Sequence, residues 1–188
     1  QLNYFIDIKI KGNNIIEKTF SEYLPAPFLS VLLDDCIALG MDYNSGGARY
    51  NTTYIQGVGL GSISDALTSV KYNIYDCRKY TWEQVKEALK SNFKGYELMQ
   101  HDFVYETPKY GNDDDYADHQ TITVFELFYD AVNGRPDSRG GVHRINLLPT
   151  TCHIYFGSVT GATPDGRNAH LPVSEGISPV QGADHEGP

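Results

Sequence analysis

Glycine and proline fall so densely along the last third of this sequence that no regular element there can run for more than a few residues. Pro149, Gly157, Gly161, Pro164, Gly166, Pro172, Gly176 and Pro179 cut the chain after residue 148 into short pieces. Each proline removes a backbone donor, and each glycine opens conformations that other residues avoid. Between the breaks the chain keeps Leu147, Leu148, Ile154, Tyr155 and Phe156, which predicts an ordered, loop-rich surface rather than a linker. Arg144 to Leu148 and His153 to Phe156 read as short strands.

Upstream the pattern changes. Tyr4 to Ile10 partly alternates apolar and polar side chains and meets Lys11-Gly12-Asn13-Asn14, which predicts a strand closed by a turn. Phe28 to Leu39 repeats its apolar residues at helical spacing after Pro25 and Pro27 and stops at Gly40, which predicts a helix. Tyr50 to Gln56 is rich in β-branched and aromatic residues and predicts a strand. Ser62 with Asp65 reads as a capping box opening a helix towards Tyr75, and Thr81 with Gln84 as a second one starting a helix towards Phe93. Tyr96 to Glu106 is a further helix, blocked by Pro108. A long helix runs from about Asp114 to Val132, with Asp113, Asp114 and Asp115 where the helix dipole favours negative charge. Mixed strands and helices imply an α/β fold, and 188 residues suit one domain or a piece of one.

Lys and Arg number 15 against 24 Asp and Glu, a formal charge of −9, so no nucleic-acid partner is expected, because phosphate contacts want a basic face. Cys36, Cys77 and Cys152 stand in no CxxC pattern, which fits neither a disulfide framework nor a zinc finger and suits a reducing, cytoplasmic setting. No run reaches the ~18 apolar residues of a membrane span, and no leader-like N-terminus is visible, so no membrane partner is expected. The chain opens at Gln1 and closes on Gly187-Pro188, which reads as the cut edges of a longer chain.

Few residues group into chemistry. Gly57-Val58-Gly59-Leu60-Gly61-Ser62 follows a strand and opens a helix as a dinucleotide loop does, yet Ser62 takes the third glycine's place, and a close strand-to-helix turn explains the small residues better. Asn112 to Asp118 lacks the ligand spacing of a calcium loop and reads as a solvated helix start. Cys152 and His153, adjacent on an extended chain, would point to opposite faces and could not act together. No metal set is expected from the histidines. Thr150, Thr151 and His153 gather hydroxyls and an imidazole on one turn, which could orient a small polar substrate or equally satisfy buried backbone groups. The same alternatives stand for Arg49, Tyr50 and Asn51, and for Asp165 with Arg167, whose structural reading is a local ion pair bracing a turn.

Gly46-Gly47-Ala48-Arg49-Tyr50-Asn51, Gln56-Gly57-Val58-Gly59 and above all Gly161-Ala162-Thr163-Pro164-Asp165-Gly166-Arg167 leading into Ser174-Glu175-Gly176-Ile177-Ser178-Pro179 resemble the glycyl radical enzymes. The order is similar to the C-terminal half of their pyruvate formate-lyase-like branch and covers nearly the whole chain. Tyr54 to Gly57, Thr107 to Asp114 and Leu148 to Gly157 are most similar to the dehydratases of that branch that act on trans-4-hydroxy-L-proline. The resemblance implies part of a ten-stranded β/α barrel in which a backbone glycyl radical oxidises a cysteine whose thiyl radical takes hydrogen from the substrate before water leaves. A cavity closed to water suits such a radical. It also implies anaerobic use, a homodimeric parent, and a partner activating enzyme that installs the glycyl radical with S-adenosylmethionine and an iron–sulfur cluster.

Two departures follow. No cysteine here stands in the family's Gly-Cys-Xaa-Glu loop, and no glycine in its Arg-Val-Xaa-Gly motif. Residues 1–188 are therefore expected to be a partial barrel domain lacking both the catalytic-cysteine loop and the C-terminal glycyl radical domain, with no catalytic residue, no metal and no bound cofactor of its own. By the same resemblance Thr150, Thr151 and His153 are the substrate-binding candidates, and Arg49 to Asn51 and Asp165 to Arg167 are structural. The expected function is a segment of a dehydratase, a C–O lyase acting on a small hydroxylated molecule and inactive alone. The alternative is a stand-alone, non-catalytic relative that binds a ligand or partner.

Overall fold

The computed structural model describes residues 1–186; the Gly187-Pro188 end noted above lies outside them. In chain order the described elements are α1 (Leu2–Tyr23), α2 (Pro27–Ser30), α3 (Asp34–Leu39), β1 (Thr52–Gln56), α4 (Leu60–Val70), α5 (Trp82–Lys90), α6 (Glu97–His101), α7 (Asp115–Val132), β2 (Val142–Asn146) and α8 (Cys152–Ser158). β1 pairs with β2 in a two-stranded sheet. The α/β expectation holds, and a ten-stranded barrel is not seen among the described residues. No helix among them is long and apolar enough to cross a membrane. The chain divides into two compact units, Gln1–Ile55 with Leu127–Asn146, and Gln56–Glu126 with Leu147 onward.

In the first unit Ile6, Ile10, Ile55 and Val132 form the core, with Phe128, Ala131 and Ile145 packed on it. This corrects the strand expected over Tyr4 to Ile10, which lies inside α1. Ile6 and Ile10 are about one helical turn apart and reach the same core, a spacing that a strand would also put on one face. Gly12-Asn13-Asn14 continues the helix instead of turning, because the same face carries anchors further on. Asn14 Oδ1 lies 3.1 Å from His143 Nε2, and Glu17 accepts from the Ser138 hydroxyl at 2.6 Å. The helix expected over Phe28 to Leu39 is broken into α2 and α3 by a turn. Its predicted stop is kept, with Gly40 in the left-handed conformation at the C-cap.

In the second unit the core is Val85, Ala88, Phe93, Met99 and Phe103, with the Phe93 and Phe103 rings edge to face at 6.2 Å. Both halves of the Thr81–Gln84 capping box form. The box expected at Ser62 and Asp65 does not: α4 starts earlier, from Gly59, with no side-chain cap. Ser62 is instead stitched to Ser174, each backbone N–H donating to the other's hydroxyl at 3.0 and 2.9 Å. A Cβ on Gly61 would lie 2.7 Å from the Ser178 carbonyl oxygen. The small residues after β1 thus serve close approach of the 174–179 segment. The helix continues past α4 as a π-helical stretch over Lys71–Asp76, and past α6 as another over Asp102–Glu106.

His153 to Phe156 is not a strand; it forms most of α8. Seven residues fit either period, and contacts decide. A helical turn lets His153 reach back three residues to the Thr150 carbonyl, and Gly157 packs so closely that a Cβ would sit 2.2 Å from the Leu171 carbonyl oxygen.

Candidate functional site

The turn between β2 and α8 is held from several sides within the second unit. Gln56 Nε2 donates to the Leu148 carbonyl at 2.6 Å, the Ile177 N–H to the Leu147 carbonyl at 3.1 Å, and the Val173 N–H to the His153 carbonyl at 3.4 Å. Gly176 lies against the same turn, at φ +38, where a Cβ would meet the Leu147 carbonyl oxygen at 2.3 Å. Thr151 sits at the N-cap of α8, exposed and making no side-chain cap. The Thr150 hydroxyl is buried and has no hydrogen-bond partner. His153 Nδ1 is 2.6 Å from the Thr150 carbonyl oxygen, so that nitrogen carries the proton, and Nε2 faces Glu175 Oε1 at 3.6 Å. The three expected residues therefore share one turn. Cys152 points elsewhere, exposed on α8.

Beside this turn lies a cavity of about 900 Å³ whose wall includes His153, Glu175, Asp65, Lys109, Asp165 and Arg167. Its floor is charged. Asp65 on α4 is 1% exposed, and its Oδ1 accepts the Tyr110 N–H at 2.8 Å while Oδ2 has no hydrogen-bond partner. Burial pushes its carboxyl up to about 6, with Lys109 and the Tyr110 N–H opposing. Burial lowers the Lys109 ammonium in turn, against the attraction of Asp65 and Asp165. Lys109 Nζ donates to the carbonyls of Phe103 at 2.5 Å and Asp165 at 3.2 Å. The ammonium is thus spent on backbone oxygens and the carboxylate on one backbone N–H.

Asp165 and Arg167 correct the expected ion pair. The guanidinium donates to the carbonyls of Leu171 at 2.6 Å, Asn168 at 3.1 Å and Gly161, and to the Thr163 hydroxyl at 3.1 Å. The Asp165 carboxylate takes the Thr163 hydroxyl at 2.5 Å and the Arg167 N–H at 3.3 Å. Arg167 is a clamp on carbonyl oxygens that closes the 161–171 loop, and both residues are buried. Its five fixed donors suit that task as a lysine would not.

In the first unit Arg49 pairs with Asp35 at 3.0 Å in the open, Tyr50 is exposed, and the Asn51 amide donates to the Gly46 and Ala48 carbonyls at 3.0 and 2.8 Å. Those residues hold a loop. Asp114 Oδ1 accepts the Tyr116 N–H at 2.9 Å at the start of α7. Among the described residues no three His, Cys, Asp or Glu side chains gather as a metal site, and none of the three cysteines lines the cavity. Sequence reasoning assigned Asp65 to a helix cap and met Lys109 and Glu175 only inside family motifs, without giving any of the three a place in a site. The one available signal was Asp65, the only carboxylate in the otherwise neutral α4 segment.

A family model described as pyruvate formate lyase-like matches residues 1–157. Among curated proteins the chain is 53% identical over all of its 188 residues to a trans-4-hydroxy-L-proline dehydratase of Clostridioides difficile, of which it covers 24%. Among solved structures it superposes at a TM-score of 0.95 and 53% identity on hydroxyproline dehydratase from the same organism with trans-4-hydroxy-L-proline bound, covering 98% of this chain and 23% of that one. The B12-independent glycerol dehydratase of Clostridium butyricum follows at 0.93 and 38%, covering 100% and 24%. The chain spans about a quarter of the length of the relatives it matches.

Proposed function

The chain belongs to the pyruvate formate lyase-like family of glycyl radical enzymes, and from that membership we propose that it is a wall-forming segment of a longer dehydratase. The longer protein eliminates water from a small hydroxylated substrate, with trans-4-hydroxy-L-proline the first candidate, inside a ten-stranded β/α barrel to which β1 and β2 contribute. The turn carrying Thr150, Thr151 and His153 is the stretch of wall assigned to substrate. A buried hydroxyl with no partner, at Thr150, suits a ligand's polar group, since an unsatisfied buried donor costs stability until something meets it.

A glycyl radical, installed by an activating enzyme that uses S-adenosylmethionine and an iron–sulfur cluster, supplies the one-electron chemistry. Neither its glycine nor the relay cysteine belongs to these residues. What they do is orient substrate, exclude water and keep the turn in place. The longer protein is proposed to be a cytoplasmic homodimer working without oxygen.

The observation that carries this reading is the likeness to a trans-4-hydroxy-L-proline dehydratase along the entire chain. The test is anaerobic activation of the longer protein followed by incubation with trans-4-hydroxy-L-proline. Loss of water with turnover is expected, and an activated protein that leaves this compound and other small diols intact would refute the reading.

A further inference from the structure

We propose that His153, on the wall of the cavity beside Glu175, is a positioning residue that fixes the Thr150–Thr151 turn through its Nδ1–H. The inference rests on the dehydratase reading for the substrate, though not for the geometry. Of the ring's two nitrogens, Nδ1 is committed to a hydrogen bond and Nε2 stands near a carboxylate. Nδ1 donates to the Thr150 carbonyl at 2.6 Å, a short contact across one turn of α8. Nε2 looks at Glu175 Oε1 at 3.6 Å, and the side chain is 13% exposed. When the ring carries both protons the two side chains form a partly buried ion pair that ties the imidazole to Glu175.

That segment returns the support. Its Val173 and Ile177 amides donate to the carbonyls of His153 and Leu147, so the residues on either side of the turn are gripped by backbone contacts while His153 grips the middle. The Thr150 hydroxyl is buried and has no hydrogen-bond partner. In this arrangement the imidazole sets where that hydroxyl sits, and the hydroxyl does the binding.

The two amide isosteres separate the roles, because asparagine can place its N–H where Nδ1 is and glutamine where Nε2 is. In the longer, activated protein His153→Asn keeps KM for trans-4-hydroxy-L-proline within about threefold of the parent, whereas His153→Gln and His153→Ala raise it by about tenfold or more with kcat within about threefold. Hydrogen exchange at the Ile154 and Ile177 amides, which bond to Thr151 and Leu147, quickens in the Gln and Ala variants and not in the Asn variant. The inference is overturned if Asn raises KM as much as Gln does, or if Gln behaves as the parent. Should the parent turn over no substrate at all, the dehydratase reading falls, and the exchange pattern alone decides the positioning role.

Discussion

Asp65 is a carboxylic acid that the fold keeps from water and supplies with one N–H and a distant ammonium. Its carboxyl stands at about 6 against an ordinary 3.8, so the folded state holds this proton more tightly than the unfolded chain does. The resulting stabilisation is complete below 3.8 and is lost as the pH rises through about 6. That difference corresponds to roughly 3 kcal/mol at most. Asp65→Asn, which keeps an oxygen for the Tyr110 N–H, is therefore expected to be more stable than the parent by roughly 1–3 kcal/mol at pH 8 and no more stable near pH 4. Urea midpoints at the two pH values check this. A variant that weakens the protein equally at both would contradict it. Asp65 also shows why the site was only partly legible. With Ser62 it has the same spacing as Thr81 with Gln84, yet only the second pair caps a helix. The partners that claim Ser62 and Asp65 lie 112 and 45 residues away in sequence. Thr150, Thr151 and His153 could be named from a motif, but the division of labour proposed for them rests on Nδ1 of His153 facing the Thr150 carbonyl and Nε2 facing Glu175, and no spacing encodes that.

Among the elements, β1, α5 and α7 were readable because local signals agree with tertiary contacts there: β-branched residues in the strand, a capping box, an acidic start. The α1 and α8 segments were misread for one common reason. Tyr4 to Ile10 and His153 to Phe156 are short apolar-rich runs that fit both periods, and their helices are selected by anchors outside the run: Asn14 and Glu17 in one case, Gly157 and the Thr150 carbonyl in the other. The 173–177 segment is a closely packed element on which a perturbation can be tested. Gly176→Ala adds a methyl 2.3 Å from a backbone oxygen at φ +38. It is expected to cost about 2–4 kcal/mol, with packing added to backbone strain. Gly182, at φ +79 with open space around it, supplies the control. Gly182→Ala bears the strain alone, about 1–2 kcal/mol. Thermal unfolding of the two variants should differ in that order, and equal losses would contradict the close packing described for Gly176.

For the whole molecule, the two units carry separate cores, and large apolar side chains such as Phe5, Ile15, Phe28 and Leu32 stand exposed. Surface of that kind is normally covered by something else, which accords with a chain that spans about a quarter of its relatives. Family membership was legible because the Gly161 to Pro179 stretch combines turn glycines, the Arg167 clamp and the Ser62–Ser174 stitch, contacts that tolerate little change of residue type. The central claim is that these residues shape a binding wall while the reacting atoms lie elsewhere. Thr150→Val tests it, since valine keeps the shape and removes only a hydroxyl that has no partner in the fold. In the longer protein, at equal glycyl radical content measured by electron paramagnetic resonance, the variant is expected to keep its radical and its stability while KM for trans-4-hydroxy-L-proline rises by about tenfold, the worth of one lost hydrogen bond. An unchanged KM, or a radical that no longer forms, would contradict the account.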